Sequence, residues 1–481
     1  MQKTFLSNLI LIVILNLLVK PFYILGIDAE VQNRVGSAIY GNYFALLNFS
    51  FLLNILLDFG ITNFNNRNIA QNPQLIQKHF GKLLGIRISL FFIYTILTIG
   101  VGLFINYSTE EIYLLSILAF NQFLVATIQY ARSNFAGLHL FKIDAFISVL
   151  DRILLIVLCS FLLWYPTIKQ QFKIEWFIYA QTTTYFLSAF ISIALLKFKI
   201  KTVKIKFSKV FSIAIIKQSF PYALLILLMM FYNRIDSVMI ERILPDGNTQ
   251  AGIYAQGFRF LDAVNMFALL FAGLLLPMFA RLIKQKATIT PLLELGISTL
   301  IPISLVIGIT SFFFKDFLIN LRYSDHLQQA SQSFGYLILS FIPISFTYIF
   351  GTLLTANGSL KQLNYMALGG LILNVTLNIL LIPTLKAEGA AIATLITQLI
   401  TAVIQVKLVL KIFKLKTQNK WLYLKILLLA VIIASINYAI LKTTLLVNIQ
   451  FLISIIVATI LPFLLGVIKI KSIIKLLKSK G

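Results

Sequence analysis

The feature that most constrains this chain is a repeated length: apolar runs recur along it, each just long enough to cross a lipid bilayer. They fall at about 5–26, 37–59, 82–105, 112–131, 145–165, 174–196, 216–240, 251–277, 290–314, 332–355, 363–382, 388–412, 421–441 and 447–468. A transmembrane helix needs about 20 apolar residues, whereas a barrel strand needs about ten with alternating polarity. These runs are longer and uniformly apolar, so they predict helices. Composition agrees: 59% of residues are hydrophobic and 12% charged, against roughly 45–50% and about 25% in a soluble domain. The expected fold class is an all-α integral membrane protein, multi-pass, with about 14 transmembrane helices. What remains makes short loops and two tails, with no room for a soluble catalytic domain. The first run follows a single Lys3, lacks a small-residue cleavage site and continues through Pro21 to Gly26. It reads as a retained helix rather than a cleaved signal peptide.

The formal charge is +25, from 41 Lys+Arg against 16 Asp+Glu. In a soluble protein that excess would suggest nucleic acid. Here its position argues otherwise, and no nucleic-acid partner is expected. Lysines crowd the segment after the sixth run (Lys197, Lys199, Lys201, Lys204, Lys206, Lys209), the segment after the twelfth (Lys411, Lys414, Lys416, Lys420) and the tail (Lys469, Lys471, Lys475, Lys478, Lys480). Asp28, Glu30, Glu110, Glu111, Glu175 and Asp246 favour the opposite side. Basic loops mark the cytoplasmic face. Both termini are therefore expected in the cytoplasm, with the chain in a plasma (inner) membrane. The lysines serve as topology signals and contacts to membrane lipid headgroups.

The longest basic interruption also divides the chain. It predicts an N-terminal lobe over 1–196, a cytoplasmic linker over 197–215, a second lobe over 216–412, and two further helices with a basic tail over 413–481. An internal repeat supports the division: Ala38-Ile39-Tyr40 opens the second helix and Gly252-Ile253-Tyr254 opens the eighth. The offset that lays Tyr254 on Tyr40 also lays Arg234 on Lys20, a cation on a cation. Both halves start on the same side, which makes this a parallel repeat about an axis along the membrane normal.

Four cations sit inside spans: Lys20, Arg152, Arg234 and Arg259. A charge at the centre of a membrane helix costs roughly 2.5–3.5 kcal/mol on insertion scales, so such residues face a wet cavity or a partner. At about 1.5 Å per residue, Arg234 and Arg259 lie roughly 10–12 Å below the outer surface. Lys20 is expected at a similar level and Arg152 in the inner half. Arg259 and Asp262 are three apart and can pair on one helix face. Arg152 has Asp151 beside it, although neighbours in sequence point to different faces. Asp236 likewise points away from Arg234. Asp58 sits near a cytoplasmic helix end, and with Asp236 and Asp262 it is a candidate for coupling or pairing. A guanidinium presents two parallel donors to two phosphate oxygens, so a cationic cavity suits an anionic, diphosphate-bearing lipid.

Other chemistries find little support. Cys159 is the sole cysteine, and His79, His139 and His326 are scattered, so no metal site is expected. No Gly-rich phosphate loop appears, which argues against direct ATP use. The longest outer loop, about 315–331, carries Lys315, Asp316, Arg322, Asp325 and His326. It is too short for the substrate-binding domain of a membrane glycosyltransferase or polymerase, so an enzyme is not expected. Pro21, Pro302 and Pro343 are expected to kink their helices.

Three stretches carry a likeness to a known family. The second helix ends as Asp58-Phe59-Gly60-Ile61-Thr62, followed by Arg67-Asn68-Ile69-Ala70. The seventh and eighth read Arg234-Ile235-Asp236, then Gly252-Ile253-Tyr254-Ala255, then Pro277 before Arg281. The most specific runs from Asn374 through Asn378 to Pro383, then Glu388-Gly389-Ala390-Ala391-Ile392-Ala393-Thr394. In these the chain resembles the Wzx-type polysaccharide flippases of the multidrug/oligosaccharidyl-lipid/polysaccharide exporter superfamily. The resemblance implies two six-helix lobes around a central cavity, plus two C-terminal helices. It implies alternating access that moves a polyprenyl-diphosphate-linked glycan to the outer leaflet, as for O-antigen or capsule repeat units. Lumen cations would hold the headgroup: Arg234 by its motif, with Arg259, Lys20 and Arg152 fitting the pattern. No cofactor is implied, only coupling to a proton or sodium gradient, and a polysaccharide polymerase is the implied partner. A multidrug exporter is the alternative on the same fold, and it would favour unpaired carboxylates over cations. In the Asn374–Thr394 motif the small residues are expected to let the twelfth helix approach a neighbour closely.

Overall fold

A computed structural model describes residues 14–62, 65, 69, 74–167, 169–198, 209–415 and 420–468. Most of the expected linker, the tail lysines, and Arg67, Asn68 and Ala70 lie outside the described residues. Among the described residues the chain is helical, with no strand.

The helices follow the apolar runs. The first, α1, covers 14–35 and includes a π-helical turn at Tyr23–Asp28. Gly36, at φ 83°, separates it from α2 (Ser37–Leu52), which runs on into a 3-10 turn at Asn54–Leu57. Then come α3 (Leu75–Phe104), α4 (Thr109–Gly137), α5 (Phe141–Trp164), α6 (Ile174–Lys197), α7 (Lys209–Ile243), α8 (Gly247–Lys284) and α9 (Thr290–Phe313). A short helix at Lys315–Arg322 leads to α10, in two pieces, Leu327–Leu339 and Phe341–Ala356. The long helical stretch Leu360–Ile412 is broken at Lys386, whose φ of 54° and ψ of −131° no helix accommodates. It therefore holds two helices, α11 (360–385) and α12 (387–412). The last are α13 (Lys420–Leu441) and α14 (Val447–Leu464).

Eleven of the described helical stretches are long and apolar enough to cross a membrane. Dividing Leu360–Ile412 at Lys386 adds one, and α1 and the interrupted α2 complete the expected fourteen. The breaks follow the chemistry. The π turn of α1 begins two residues after Pro21, and α10 breaks at Ser340, three residues before Pro343. Proline removes one backbone donor each time, so the ladder shifts register there.

Two expectations change. The first helix does not end at Gly26: the π turn carries it on to Val35, so Asp28 and Glu30 belong to a helix rather than an outer loop. Asp28 is fully buried and accepts a 2.9 Å hydrogen bond from the Tyr40 hydroxyl. The 315–331 segment is also mostly helical. The short helix is held where Ser331 donates to Asp316, leaving four residues to turn into α10.

The chain divides into two compact units, Met1–Arg242 and Ile243–Gly481. The sequence reading placed α7 at the head of the second lobe, whereas by contact it belongs almost wholly to the first unit. Arg242 at its end explains why. Its guanidinium stacks on Tyr107 at 3.9 Å, pairs with Glu111 at 3.5 Å and donates to the Ile105 carbonyl at 3.4 Å. In the first unit α4 and α6 pack closely and α1 rests on α5; in the second, α10 packs against α8, α9 and both α11 and α12.

Candidate functional site

Arg152 lies near the middle of α5, held from three sides. Its Nη1 donates to the Tyr185 hydroxyl on α6 at 2.9 Å. Its plane lies over the rings of Tyr23, at 4.7 Å, and Tyr185, at 5.4 Å. Its Nε is 3.5 Å from the Asp151 carboxylate. Adjacent residues were expected to diverge; the arginine stem is long enough to curl back to its neighbour. Aromatic faces carry negative quadrupole density, so the cage stabilises the charge without neutralising it.

Lys20 belongs to the same group. Because α1 continues to Val35, Lys20 lies near the middle of its helix rather than near the outer end. It is half-buried and feels the charges of Arg152, Arg132 and Asp151. One turn below, the Asn16 amide donates to the Ser148 hydroxyl at 2.9 Å, stapling α1 to α5. Arg132, at the far end of α4, pairs with Asp144 of α5 at 2.7 Å. The first unit thus gathers Lys20, Arg132 and Arg152 around Asp144 and Asp151, three cations to two carboxylates. Arg132 was read as a loop residue, because the fourth run was ended at 131; α4 continues to Gly137.

Arg234 stands elsewhere in the first unit. Its Nη1 donates to the Asn48 Oδ1 of α2 at 3.3 Å, and it lies 5.5 Å over the Phe51 ring. Asp236, two residues on, is buried. Arg259 belongs to the second unit. It is 8% exposed, with its Nη1 3.6 Å from Asp262, the pairing that their spacing of three predicts. The structure therefore brings Lys20 and Arg152 together, sets Arg234 on a separate helix pair of the same unit, and leaves Arg259 on the other unit.

Asp58 is part of a buried ion pair that the sequence reading missed. Arg87, in the hydrophobic part of α3 and 2% exposed, bonds Asp58 Oδ1 at 2.7 Å through Nη1 and the Ala126 carbonyl of α4 at 2.6 Å through Nη2. The Tyr130 ring covers it at 5.1 Å. Asp58 also accepts from the Thr62 hydroxyl and from its backbone N–H at 3.1 Å. Arg87 lies seven residues inside the span that starts at Phe80. It had been counted with the cytoplasmic cations of the loop. Its depth, at about 10 Å by helix rise, was the available signal.

The Asn374–Thr394 motif packs as expected. Asn378 donates to Asn374 at 3.2 Å, four residues back, and both are fully buried. Ala390, Ala391 and Ala393 are fully buried, and Gly389 lies against the Leu381 backbone across the break at Lys386. The turn leading into α8 braces that break: Lys386 Nζ is 2.8 Å from Asp246. The ammonium's hydrogen bond holds the Asp246 carboxyl below the usual carboxylate range.

Fourteen helices in this order, with buried cations in the membrane-crossing part, define a polytopic membrane protein with a transporter fold. The structure is similar to an inward-closed lipid II flippase MurJ, with TM-score 0.69, 16% identity, and coverage of 95% of this chain and 98% of that one. It is similar to an inward-facing multidrug resistance MATE family transporter of the MOP superfamily, with TM-score 0.57, 13% identity, and 82% and 92% coverage. A mutant Vibrio cholerae MATE transporter gives TM-score 0.56, 15% identity, and 85% and 98% coverage. At these identities the likeness establishes the fold, that of the MOP superfamily. The chain belongs to the polysaccharide biosynthesis protein family, whose model matches residues 5–283. It is also 27% identical over 204 residues to an uncharacterized membrane protein of Methanocaldococcus jannaschii, across 42% of this chain and 48% of that protein. The chain thus spans about half the length of the curated relative it matches.

Proposed function

We propose that the protein is a flippase that moves a polyprenyl-diphosphate-linked oligosaccharide from the cytoplasmic to the outer leaflet, by alternating access, for surface polysaccharide synthesis. The observation that carries this reading is the group formed by Lys20, Arg132 and Arg152. It holds one cation more than its carboxylates balance, in a part of the protein where each unbalanced charge is costly. A diphosphate supplies the missing anion. Family membership supports the link to polysaccharide synthesis. Arg234 and Arg259 are proposed as further headgroup contacts, and Asp236, Asp262 and Asp58 as charges that set their field. The basic loops support a plasma membrane location with both termini in the cytoplasm. A proton or sodium gradient is the proposed drive, and a polysaccharide polymerase the proposed recipient of the product.

The test is deletion of the gene in a strain without a redundant flippase. Lipid-linked oligosaccharide in the membrane is measured alongside polysaccharide on the surface. Accumulated lipid-linked glycan with loss of surface polymer is the expected result, and the trapped sugar identifies the cargo. Unchanged glycans, with raised sensitivity to organic cations, would replace this reading with a multidrug exporter. Repeating the transport assay with proton- and sodium-selective ionophores identifies the driving ion.

A further inference from the structure

A cleft of about 490 Å³ opens on the flank of the first unit between α4 and α6, away from the cationic group. Its walls are two matched stripes. On α4, Tyr113, Ser116, Ile117 and Phe120 follow the spacing of one helix face, and on α6, Tyr179, Thr182 and Thr183 do the same. Their hydroxyls are of two kinds. Those of Ser116, Thr182 and Thr183 donate to carbonyls of their own helices, at 2.7, 3.0 and 2.8 Å, and so present mainly carbon to the cleft. The hydroxyls of Tyr113 and Tyr179 meet each other at 3.0 Å. One donates to the other, which leaves a single O–H free to point outward.

Below the cleft the α6 stripe continues. Phe186 and Phe190 return to the face of Tyr179 and are 54% and 65% exposed. From Tyr179 to Phe190 is roughly 16 Å along the axis, about half of a ~30 Å hydrocarbon core. An acyl chain of a single leaflet has that reach. Above the cleft stand carboxylates: Glu110 three residues before Tyr113, and Glu175 four residues before Tyr179, which feels its charge. Glu111 is already engaged by the Ser108 N–H and by Arg242.

We infer that this cleft binds a membrane phospholipid whose headgroup carries a primary ammonium. One acyl chain lies along Phe120, Phe186 and Phe190, the free tyrosine O–H donates to a phosphate or ester oxygen, and Glu110 and Glu175 receive the ammonium. The carboxylates select against an anionic headgroup. A quaternary ammonium has no N–H to donate, so choline lipids lose that bond. The site is separate from the flippase reading and stands whether or not that reading holds.

The test is native mass spectrometry of the full-length protein released from nanodiscs. The discs contain phosphatidylethanolamine, phosphatidylglycerol and phosphatidylcholine with identical acyl chains. The wild type is expected to retain one ethanolamine lipid in about tenfold excess over the glycerol lipid. Tyr113→Phe with Tyr179→Phe is expected to cut that retention several-fold, and Glu110→Gln with Glu175→Gln to abolish the preference. Ser116→Trp, which fills the cleft, is expected to remove the bound lipid. Unchanged thermal midpoints in lipid-free detergent confirm that the variants are folded. Equal retention of the three lipids, or undiminished retention in the folded Ser116→Trp protein, overturns the assignment.

Discussion

Removing either partner of the Arg87–Asp58 pair is expected to destabilise the protein, and by unequal amounts. Breaking a buried pair from one side costs about 3–5 kcal/mol when the remaining charge has no compensation. The two sides here differ. Arg87 has a side chain 2% exposed, whereas that of Asp58 is 23% exposed. In Arg87→Met the stranded carboxylate keeps the Thr62 hydroxyl and backbone N–H, and water can reach it. The expected cost is about 1.5–3 kcal/mol. In Asp58→Asn the guanidinium remains buried with the Ala126 carbonyl and the Tyr130 face as its main support. The expected cost is about 3–4 kcal/mol. The double variant should cost less than the sum of the singles, by about 1–3 kcal/mol of coupling. Reversible unfolding in mixed micelles, followed by tryptophan fluorescence, measures all three. Additive singles, or Arg87→Met proving the more harmful, would refute the view of Arg87 as the deeply committed partner.

Lys20→Met is expected to slow flipping of a lipid-linked substrate about ten- to hundredfold, as loss of a charge-assisted contact would, while insertion is unchanged. Flipping by purified protein in liposomes measures it. Arg234→Ala should likewise reduce export from a well-expressed protein; partial activity in Arg234→Lys would show that charge suffices, and its loss that the planar fork matters. Gly389→Ala puts a Cβ 2.5 Å from the Leu381 carbonyl oxygen, so it should cost about 1–3 kcal/mol, read from the unfolding midpoint. Asp246 is held low by Lys386, so their contribution is present above the unfolded carboxylate value, near pH 4, and is lost as pH falls through the folded value. With both side chains close to half exposed, its size is under about 1 kcal/mol, and Asp246→Asn should remove that part of the acid sensitivity.

The helices were legible because bilayer thickness fixes their length and leaves little to context. The departures from that reading are local. Gly26 looked like an end because glycine and proline usually punctuate helices, but a π turn absorbs the disturbance and the helix continues until Gly36. Arg132 and Arg87 were misread for one reason. Hydropathy places a cation by the run beside it, whereas burial depends on which neighbouring helix covers that face. Arg259 with Asp262 was legible because the partner lies on the same helix. Arg87 with Asp58, and Lys20 with Arg152, join residues far apart in sequence, and spacing carries no information about such pairs.

That contrast suggests how to sort cations in a membrane protein. Arg87 is matched by Asp58, covered by Tyr130 and bonded to a backbone carbonyl, so its charge is spent inside the fold. Such a residue anchors helices, and an anionic ligand would have to displace Asp58 to reach it. Around Arg152 the tally differs. Asp151 and Asp144 are shared among three cations, and the tyrosine cage orients the guanidinium without cancelling its charge. Insertion cost alone would favour removing the surplus cation or adding a carboxylate. Its persistence is physically reasonable if an anion completes the group during part of a working cycle. On this argument the count of charges within a cluster is a better guide to function than the depth of any one arginine, and Lys20 is the residue at which the balance is tipped.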